Sequence, residues 1–246
     1  PVVKMFWVED YEKYDERFRK EIISPVQNKV GQLLTSPQIR NIVGQAKSSV
    51  DFGFVMNQKR ILLVNLSKGK IGEDKSNLLG SAIITKLYLA ALERQNIAEE
   101  ARQDFYLYID EFQNFSTDIF PSILSEARKY RLNLTLAHQY LYQLPEAIKH
   151  AVFGNVGTSV AFRVGGFDAQ VLAQEMSPAF TAEDLEHLDN HQIYTRLLID
   201  GKKSSAFSAI TLPPFPKTEH EADRDTVLRI SRERYATPRD IVEEKL

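Results

Sequence analysis

An apolar run that ends abruptly in two carboxylates limits the possible folds of this chain more than any other feature. Phe105-Tyr-Leu-Tyr-Ile109 is followed directly by Asp110-Glu111. A continuous apolar run of this length predicts a strand buried on both faces, as in the parallel sheets of α/β proteins. A second apolar run, Leu132–Ala137, ends in His138-Gln139 and predicts another strand.

Strand-like and helix-like segments alternate from about residue 50 onward, and this alternation predicts a mostly parallel α/β sheet. The predicted helices cover 77–95, a segment with Pro121 in its first turn, 145–150 and 168–175. The predicted strands cover 158–164, a hairpin of 193–199 with 205–211 around Asp200-Gly201, and a second pair formed by 52–56 and 61–65.

Three segments are expected: a helical segment over 1–49, an α/β core over 50–212 and a charged helical tail over 213–246. The first segment has an aromatic and apolar stripe at helical spacing, which Pro25 is expected to interrupt. Ser36-Pro37 is expected to begin a short helix. The stripe consists of Trp7, Tyr11, Tyr14, Phe18 and Ile22.

Composition excludes several classes of protein. A hydrophobic fraction of 43% is enough for a sizeable core, and the lack of cysteine excludes disulfides and thiolate metal sites. With 31 basic and 33 acidic residues, the chain has no large excess of positive charge for binding nucleic acid. A contact with DNA therefore needs a local positively charged patch, or a ring of subunits that repeats a small one. No apolar run approaches the roughly 18–20 residues of a membrane span, and no signal peptide is visible.

The Asp110-Glu111 pair has the chemistry of a nucleotide-hydrolysing site. A central strand delivers its last residues to the carboxyl edge of the sheet, where ligands bind. There Asp110 can hold Mg²⁺, usually through water, and Glu111 can polarise the attacking water. The alternative is a strand that simply ends in a solvated acidic loop, and the pair alone does not decide between the two.

The order of motifs resembles a known family. Asp110-Glu-Phe-Gln113, a helix, Ala127-Arg-Lys-Tyr-Arg131, a strand and then Gln139 resemble the HerA–FtsK superfamily of pumping P-loop ATPases. The likeness is closest to the conjugative coupling proteins of type IV secretion (TraG/TraD-like). Asn65–Gly72 and Phe162–Ala169 also resemble segments of that group. The resemblance covers about residues 50–212 and implies the C-terminal part of a RecA-like motor domain.

The resemblance also implies cofactors and roles for individual residues. ATP and Mg²⁺ would be the cofactors, with Asp110 as the metal-side carboxylate and Glu111 as the catalytic base. Gln139 would sense the γ-phosphate, although it can equally cap the following turn. Arg128 matches an arginine that reaches a nucleotide site, and Arg163 is a second candidate; either can instead be a surface or ion-paired side chain.

For the intact protein, the resemblance implies an ATP-driven motor that pumps DNA through a hexameric homo-oligomeric ring. Its expected partners are DNA and secretion-channel or relaxase-type proteins. The expected location is the cytoplasm, at the inner face of the bacterial membrane, with membrane contact only through regions outside this chain.

The phosphate-binding loop of such an ATPase is missing from these residues. No G-x-x-x-x-G-K-[ST] motif is present, and the nearest approach, Gly69–Ser76, has the wrong glycine spacing. Its acids Glu73 and Asp74 would repel phosphate. Because family order places the loop upstream, and the chain starts at Pro1 rather than Met, we expect an incomplete RecA-like sheet that lacks its phosphate-loop half.

Other interpretations remain open at this point. One is a non-catalytic adaptor in which the Asp110-Glu111 pair is incidental and the charged tail docks a protein. A metal-dependent nuclease would need further ligands to converge on the pair, and His138 is the nearest candidate. The lysine-rich loop of Lys68, Lys70 and Lys75 would either face DNA in a pore or lie in solvent.

Overall fold

The computed structural model describes residues 2–216 and 224–246, which fall into two compact units, 2–50 with 224–246 and 51–216. The helices are α1 Val2–Met5, α2 Glu16–Leu34, α3 Pro37–Val43, α4 Phe52–Asn57, α5 Lys68–Ile71, α6 Glu73–Glu93, α7 Phe120–Glu126, α8 Glu146–Asn155, α9 Gly166–Met176, α10 Ala182–Glu186, α11 Arg224–Tyr235 and α12 Arg239–Lys245. The strands are β1 Phe105–Ile109, β2 Leu132–Leu136, β3 Ser159–Ala161, β4 Gln192–Arg196, β5 Leu198–Ile199, β6 Lys202–Lys203 and β7 Phe207–Ile210. The predicted division at 49/50 and 212/213 remains a prediction.

The unit of residues 2–50 and 224–246 is helical. Asp15 caps α2 by accepting a hydrogen bond from the Phe18 N–H at 2.8 Å, and α3 begins at Pro37 as predicted. Pro25 does not end the helix as expected, because α2 continues through it. Its ring removes one helical hydrogen bond, and in this exposed turn water can replace that bond. The predicted tail contains α11 and α12, and its residues 217–223 lie outside the described part.

The unit of residues 51–216 is an α/β structure, so the predicted class is confirmed. β1 and β2 are parallel, with the register running from Phe105 opposite Leu132 to Ile109 opposite Leu136. β3, β4 and β7 form a separate antiparallel sheet, and β5 and β6 form the predicted hairpin turn at Asp200-Gly201. Within the described residues only β1 and β2 pair in parallel, so a mostly parallel sheet was a wrong prediction.

The main core packs α6, α7 and α8 against one face of β1 and β2. Gly80 of α6 is needed there, because the Phe115 ring lies where a β-carbon would be. The fully buried members are Met56, Ala91, Phe112, Phe120 and Ile123. The other face of β1 is open: Tyr106 and Tyr108 are 59% and 71% exposed. The prediction of a strand buried on both faces was therefore wrong, since these helices cover only one face.

The predicted strand pair of 52–56 and 61–65 is also wrong. Residues 52–57 form α4, whose first turn is capped by Asp51 accepting from the Phe54 N–H at 2.9 Å. The helical turn buries Met56 completely, whereas a strand would place alternate residues on opposite faces. Residues 61–65 belong to no β-ladder, and Ile61 and Leu63 are largely exposed.

Among the described residues, the helices are too short or too polar to span a lipid bilayer.

Arg94 ties the end of α6 to the start of both central strands. Its side chain is almost fully buried and donates to the carbonyl oxygens of Gln103 at 2.9 Å and Tyr130 at 2.8 Å. It also donates to Oδ1 of Asn57 on α4 at 3.0 Å. Three separate segments thus depend on one guanidinium group.

Replacing Arg94 with alanine is expected to lower the free energy of unfolding by about 3–5 kcal/mol, because several buried acceptors lose their donor at once. Denaturant titration of the 246-residue chain measures this effect. Lys86→Ala, at an exposed position of α6, is the matched control and should change stability by less than about 0.5 kcal/mol. Equal effects of the two changes would show that the Arg94 contacts do not hold these segments together.

Candidate functional site

The two parallel strands deliver their following residues to the same edge of the sheet. The Ala137 N–H donates to the Ile109 carbonyl at 2.9 Å, and the Phe112 N–H donates to the Ala137 carbonyl at 3.0 Å. Main-chain pairing therefore continues past the ends of both strands. As a result, the loops that carry Glu111 and Gln139 leave the sheet side by side.

Glu111 has an unusual backbone conformation. Its φ of 51° and ψ of 44° place it in the left-handed region, which costs a residue with a β-carbon about 1–2 kcal/mol. The turn is held by Asp110 Oδ1, which accepts from the Glu111 N–H at 3.0 Å, and by Asn114 Nδ2, which donates to the Glu111 carbonyl at 3.0 Å. Strain of this kind is often found at functional sites, where the surrounding contacts hold it in place.

The structure brings Glu111 and Gln139 into direct contact. Gln139 Nε2 donates to Glu111 Oε1 although the two residues are 28 positions apart in the chain. Gln113 Nε2 donates to the second carboxylate oxygen of Glu111. The carboxylate of Glu111 is thus held from both sides by amide donors, an arrangement that fixes its orientation at the sheet edge. The predicted catalytic roles of Glu111 and Gln139 remain predictions.

Asp110 is exposed beside this contact. Magnesium is commonly held by one or two carboxylates together with water and substrate phosphates, so a single exposed carboxylate here fits a Mg²⁺–nucleotide complex. In the described part of the chain no group of three or more histidine, aspartate or glutamate side chains converges to hold a metal ion. The described residues therefore do not provide the ligand cluster that the nuclease interpretation requires.

Lys68, one of the lysines expected either to face DNA or to lie in solvent, is exposed and lies at this edge. Lys68 Nζ donates to Asn114 Oδ1 at 2.8 Å and pairs with Glu73 Oε1 at 2.6 Å. Since Asn114 also bonds the Glu111 carbonyl, one amide side chain links the lysine to the acidic turn. In the sequence, the position of Asn114 three residues after Glu111 could have indicated the bond between these two residues. Nothing in the sequence indicated the contact of Asn114 with Lys68.

His138, between β2 and Gln139, is mostly buried against the Phe112 ring, with centroids 5.3 Å apart. Burial lowers the pKa of its imidazole below the ordinary value of 6.5, while the negative charges of Asp168 and Glu111 partly oppose this shift. Asp168 is itself buried and accepts from the Leu141 N–H at 3.0 Å. The folded protein thus favours the neutral form of His138.

Stability is expected to fall at acidic pH partly through His138. The unfolded chain takes up a proton near pH 6.5 whereas the folded chain resists it, so protonation favours unfolding as the pH drops through that value. The free energy of unfolding of the unchanged chain, minus that of His138→Gln, should therefore decrease between pH 7.5 and pH 5. A pH-independent difference would show that His138 titrates alike in both states.

The two candidate arginines lie at different places. Arg163 follows β3, is exposed and lines a cavity of about 970 Å³ together with His138 and Gln139. Arg128 lies in the 3₁₀ turn Ala127–Tyr130, which precedes β2 and so is at the opposite end of that strand from Gln139. Arg163 therefore shares a cavity with Gln139, whereas the exposed Arg128 lies at the other end of β2.

Comparison with known proteins locates a family match on this unit. Residues 104–206 match the family model described as the TraM recognition site of TraD and TraG. The matched segment contains β1, β2, Glu111, Gln139 and Arg163. The resemblance to TraG/TraD-type proteins that the motifs predicted is therefore confirmed over this segment.

Other comparisons are weaker. The chain is similar to the genome packaging NTPase B204 from Sulfolobus turreted icosahedral virus 2, solved with ATP-gammaS, at 14% identity and a TM-score of 0.42, covering 64% of this chain and 71% of that one. The same NTPase solved with AMPPCP gives 16% identity, the same TM-score and the same coverage. A likeness of this size says nothing about the function of this chain. No curated protein matches the chain significantly.

Proposed function

We propose that this chain is part of an ATP-driven DNA-translocating motor, a coupling ATPase of conjugation and type IV secretion. The observation that carries the proposal is the Glu111–Gln139 contact at the carboxyl edge of two parallel strands. It lies inside the segment that matches the TraG/TraD family model. Phosphate-binding residues of this RecA-like motor would come from outside residues 1–246.

Each side chain at the edge has a task in this proposal. Asp110 would hold Mg²⁺ through water, and the ion would neutralise charge on the ATP phosphates. Glu111, oriented by Gln113 and Gln139, would take a proton from the attacking water. The Gln139 amide would exchange its bond to Glu111 for one to the γ-phosphate and so report the nucleotide state. Arg163 would add positive charge from the neighbouring loop.

The proposed assembly is a homo-oligomeric ring, a hexamer, around DNA. Arg128 supports it, because its side chain is exposed at the opposite end of β2 from Gln139, and an arginine that acts on an adjoining subunit has to be exposed. The family description names TraM recognition, so a protein partner of that kind belongs to the proposal, alongside secretion-channel or relaxase-type proteins. The proposed location is the cytoplasmic side of the bacterial inner membrane, with membrane contact through other regions.

A second candidate function is a non-catalytic adaptor. The family description itself favours it, since it names recognition of a protein and not hydrolysis. In this case the Glu111–Gln139 contact would stabilise a turn, and the same surface would serve partner binding alone.

ATP hydrolysis by the intact protein separates the two candidates, and ATP binding by this chain tests where the phosphate-binding residues lie. The 246-residue chain is expected to bind ATP–Mg²⁺ weakly or not at all in calorimetry, because it has no glycine-rich loop. The intact protein is expected to hydrolyse ATP faster when DNA is added. Micromolar ATP binding by residues 1–246 would contradict the idea that the phosphate-binding residues lie elsewhere. An intact protein that hydrolyses no ATP with DNA present would support the adaptor.

A further inference from the structure

Asp168 is a buried carboxylate to which the proposed reaction assigns no role. It lies in the first turn of α9, is 6% exposed and lines the same cavity of about 970 Å³ as Gln139. Burying a charged carboxylate is costly unless the group is paired or hydrogen-bonded. The N–H groups at the start of α9 reduce this cost, because they carry partial positive charge. The rest of the compensation has to come from what the carboxylate contacts outside its own helix.

That contact lies in the loop that carries Gln139. Asp168 Oδ2 accepts a hydrogen bond from the Leu141 N–H at 3.0 Å, and the two residues are 27 positions apart. Leu141 begins a short 3₁₀ turn, Leu141–Gln143, to which the preceding residue Tyr140 supplies no side-chain cap. The first N–H groups of a helical turn have no partner within the turn itself. Asp168 therefore caps this turn from a distant helix.

Water is a poor substitute for this cap. Leu141 is 2% exposed and belongs to the main core, so loss of the carboxylate would leave a buried N–H group without its acceptor. A hydrogen bond to a charged group is also about twice as strong as one between neutral groups. The position of the turn therefore depends on Asp168.

Gln139 lies between two fixed points of the main chain. Two residues before it, both main-chain groups of Ala137 are bonded to the β1 side of the sheet. Two residues after it, Leu141 is bonded to Asp168. The Gln139 side chain, which donates to Glu111, is itself exposed, so the burial of that side chain does not hold it in place. The two anchors together limit where its amide group can be.

We propose that Asp168 is a positioning residue, which caps the turn after Gln139 and so holds the Gln139 amide against Glu111. In this role Asp168 contacts neither the phosphates nor the attacking water and acts only through Gln139. The effect on ATP hydrolysis rests on the proposed function, because it requires Gln139 and Glu111 to act on ATP. The capping contact itself does not depend on that function.

Amide hydrogen exchange in the intact protein tests the cap. Asp168→Ala should speed exchange at Leu141 by about 10-fold or more, as expected when a hydrogen bond to a charged group is lost. Asp168→Asn keeps an acceptor oxygen in the same place and should keep most of the protection. Asp189→Ala, which removes an exposed carboxylate of the same unit, is the control and should leave exchange at Leu141 unchanged. Unchanged exchange in Asp168→Ala would overturn the proposal.

ATP turnover of the intact protein tests whether Asp168 acts through Gln139. Asp168→Ala should lower kcat by about 10²-fold, the size expected for a small misplacement of a group at the site, and change the KM for ATP much less. In a Gln139→Ala background the same change should lower kcat by less than about 3-fold, because the residue that Asp168 positions is already gone. An equal loss in both backgrounds would refute the positioning role.

Two conservative variants keep the test decisive if Asp168→Ala does not fold. Asp168→Asn preserves the place of the acceptor and should retain most of kcat. Asp168→Glu keeps the charge but displaces the acceptor by one methylene group, and it should lower kcat. The reverse order would show that the charge matters and not the cap, and would overturn the proposal. If the unchanged protein hydrolyses no ATP, the proposed function fails, and exchange at Leu141 still decides the cap.

Discussion

Glu111→Gln in the intact protein is expected to keep ATP binding and to lose hydrolysis by about 10²–10⁴-fold, the usual contribution of a positioned general base. The amide keeps the shape of the side chain but cannot accept a proton from water. It can still accept a hydrogen bond from Gln139 through its oxygen, so the turn should survive. Steady-state turnover and nucleotide binding, measured on the same preparation, give the two quantities.

Asp118→Asn is the matched control for this change. It makes the same carboxylate-to-amide replacement at an exposed position a few residues further along the chain. Turnover of this variant should stay near that of the unchanged protein. If Glu111→Gln also kept near-normal turnover, Glu111 would be a structural acid that holds the strand end.

Arg128→Ala is expected to lower turnover of the intact protein by about 10³–10⁵-fold, as for arginine fingers in other phosphoryl-transfer enzymes. A guanidinium group suits this task because it is always charged and can bridge two phosphate oxygens. Arg128 is exposed at the opposite end of β2 from Gln139, so it cannot serve the site of its own chain without a large movement. We therefore expect it to act on the neighbouring subunit, and to affect turnover more than ATP binding.

Mixing subunits decides whether Arg128 acts across an interface. When Arg128→Ala and Glu111→Gln subunits form mixed rings, some interfaces pair an intact Glu111 with an intact Arg128. Activity should then partly return. If mixing restores nothing, with subunit exchange verified separately, the assignment to the neighbouring subunit is wrong. Lys129→Ala, at the adjacent exposed position, is the control and should change turnover little.

Short-range chemistry explains which parts of the fold were predictable from sequence. Proline at the first helical position marked α3, and the turn residues Asp200-Gly201 marked the hairpin, where both residues have positive φ. The runs before Asp110 and His138 are long and apolar enough to be strands on either side of a helix. The order strand, helix, strand favours parallel pairing of these two runs, which are β1 and β2. Parallel pairing then places the carboxyl ends of both strands at one edge of the sheet.

Other features depended on contacts between distant segments. The apolar run Phe52–Asn57 is too short for its periodicity to distinguish a helix from a strand. In the structure, the Asp51 cap and the burial of Met56 stabilise a helix. The open face at Tyr106 and Tyr108 depends on which helices pack there, and a strand pattern does not contain that information.

By itself, the sequence determined the α/β class and the carboxylate pair at a strand end, because local hydrophobic pattern and turn chemistry act over a few residues. Only the tertiary structure decided that Gln139 donates to Glu111 and that Lys68 reaches Asn114. These relations join residues tens of positions apart. They depend on strand register and helix packing, which are set by the burial of the whole core.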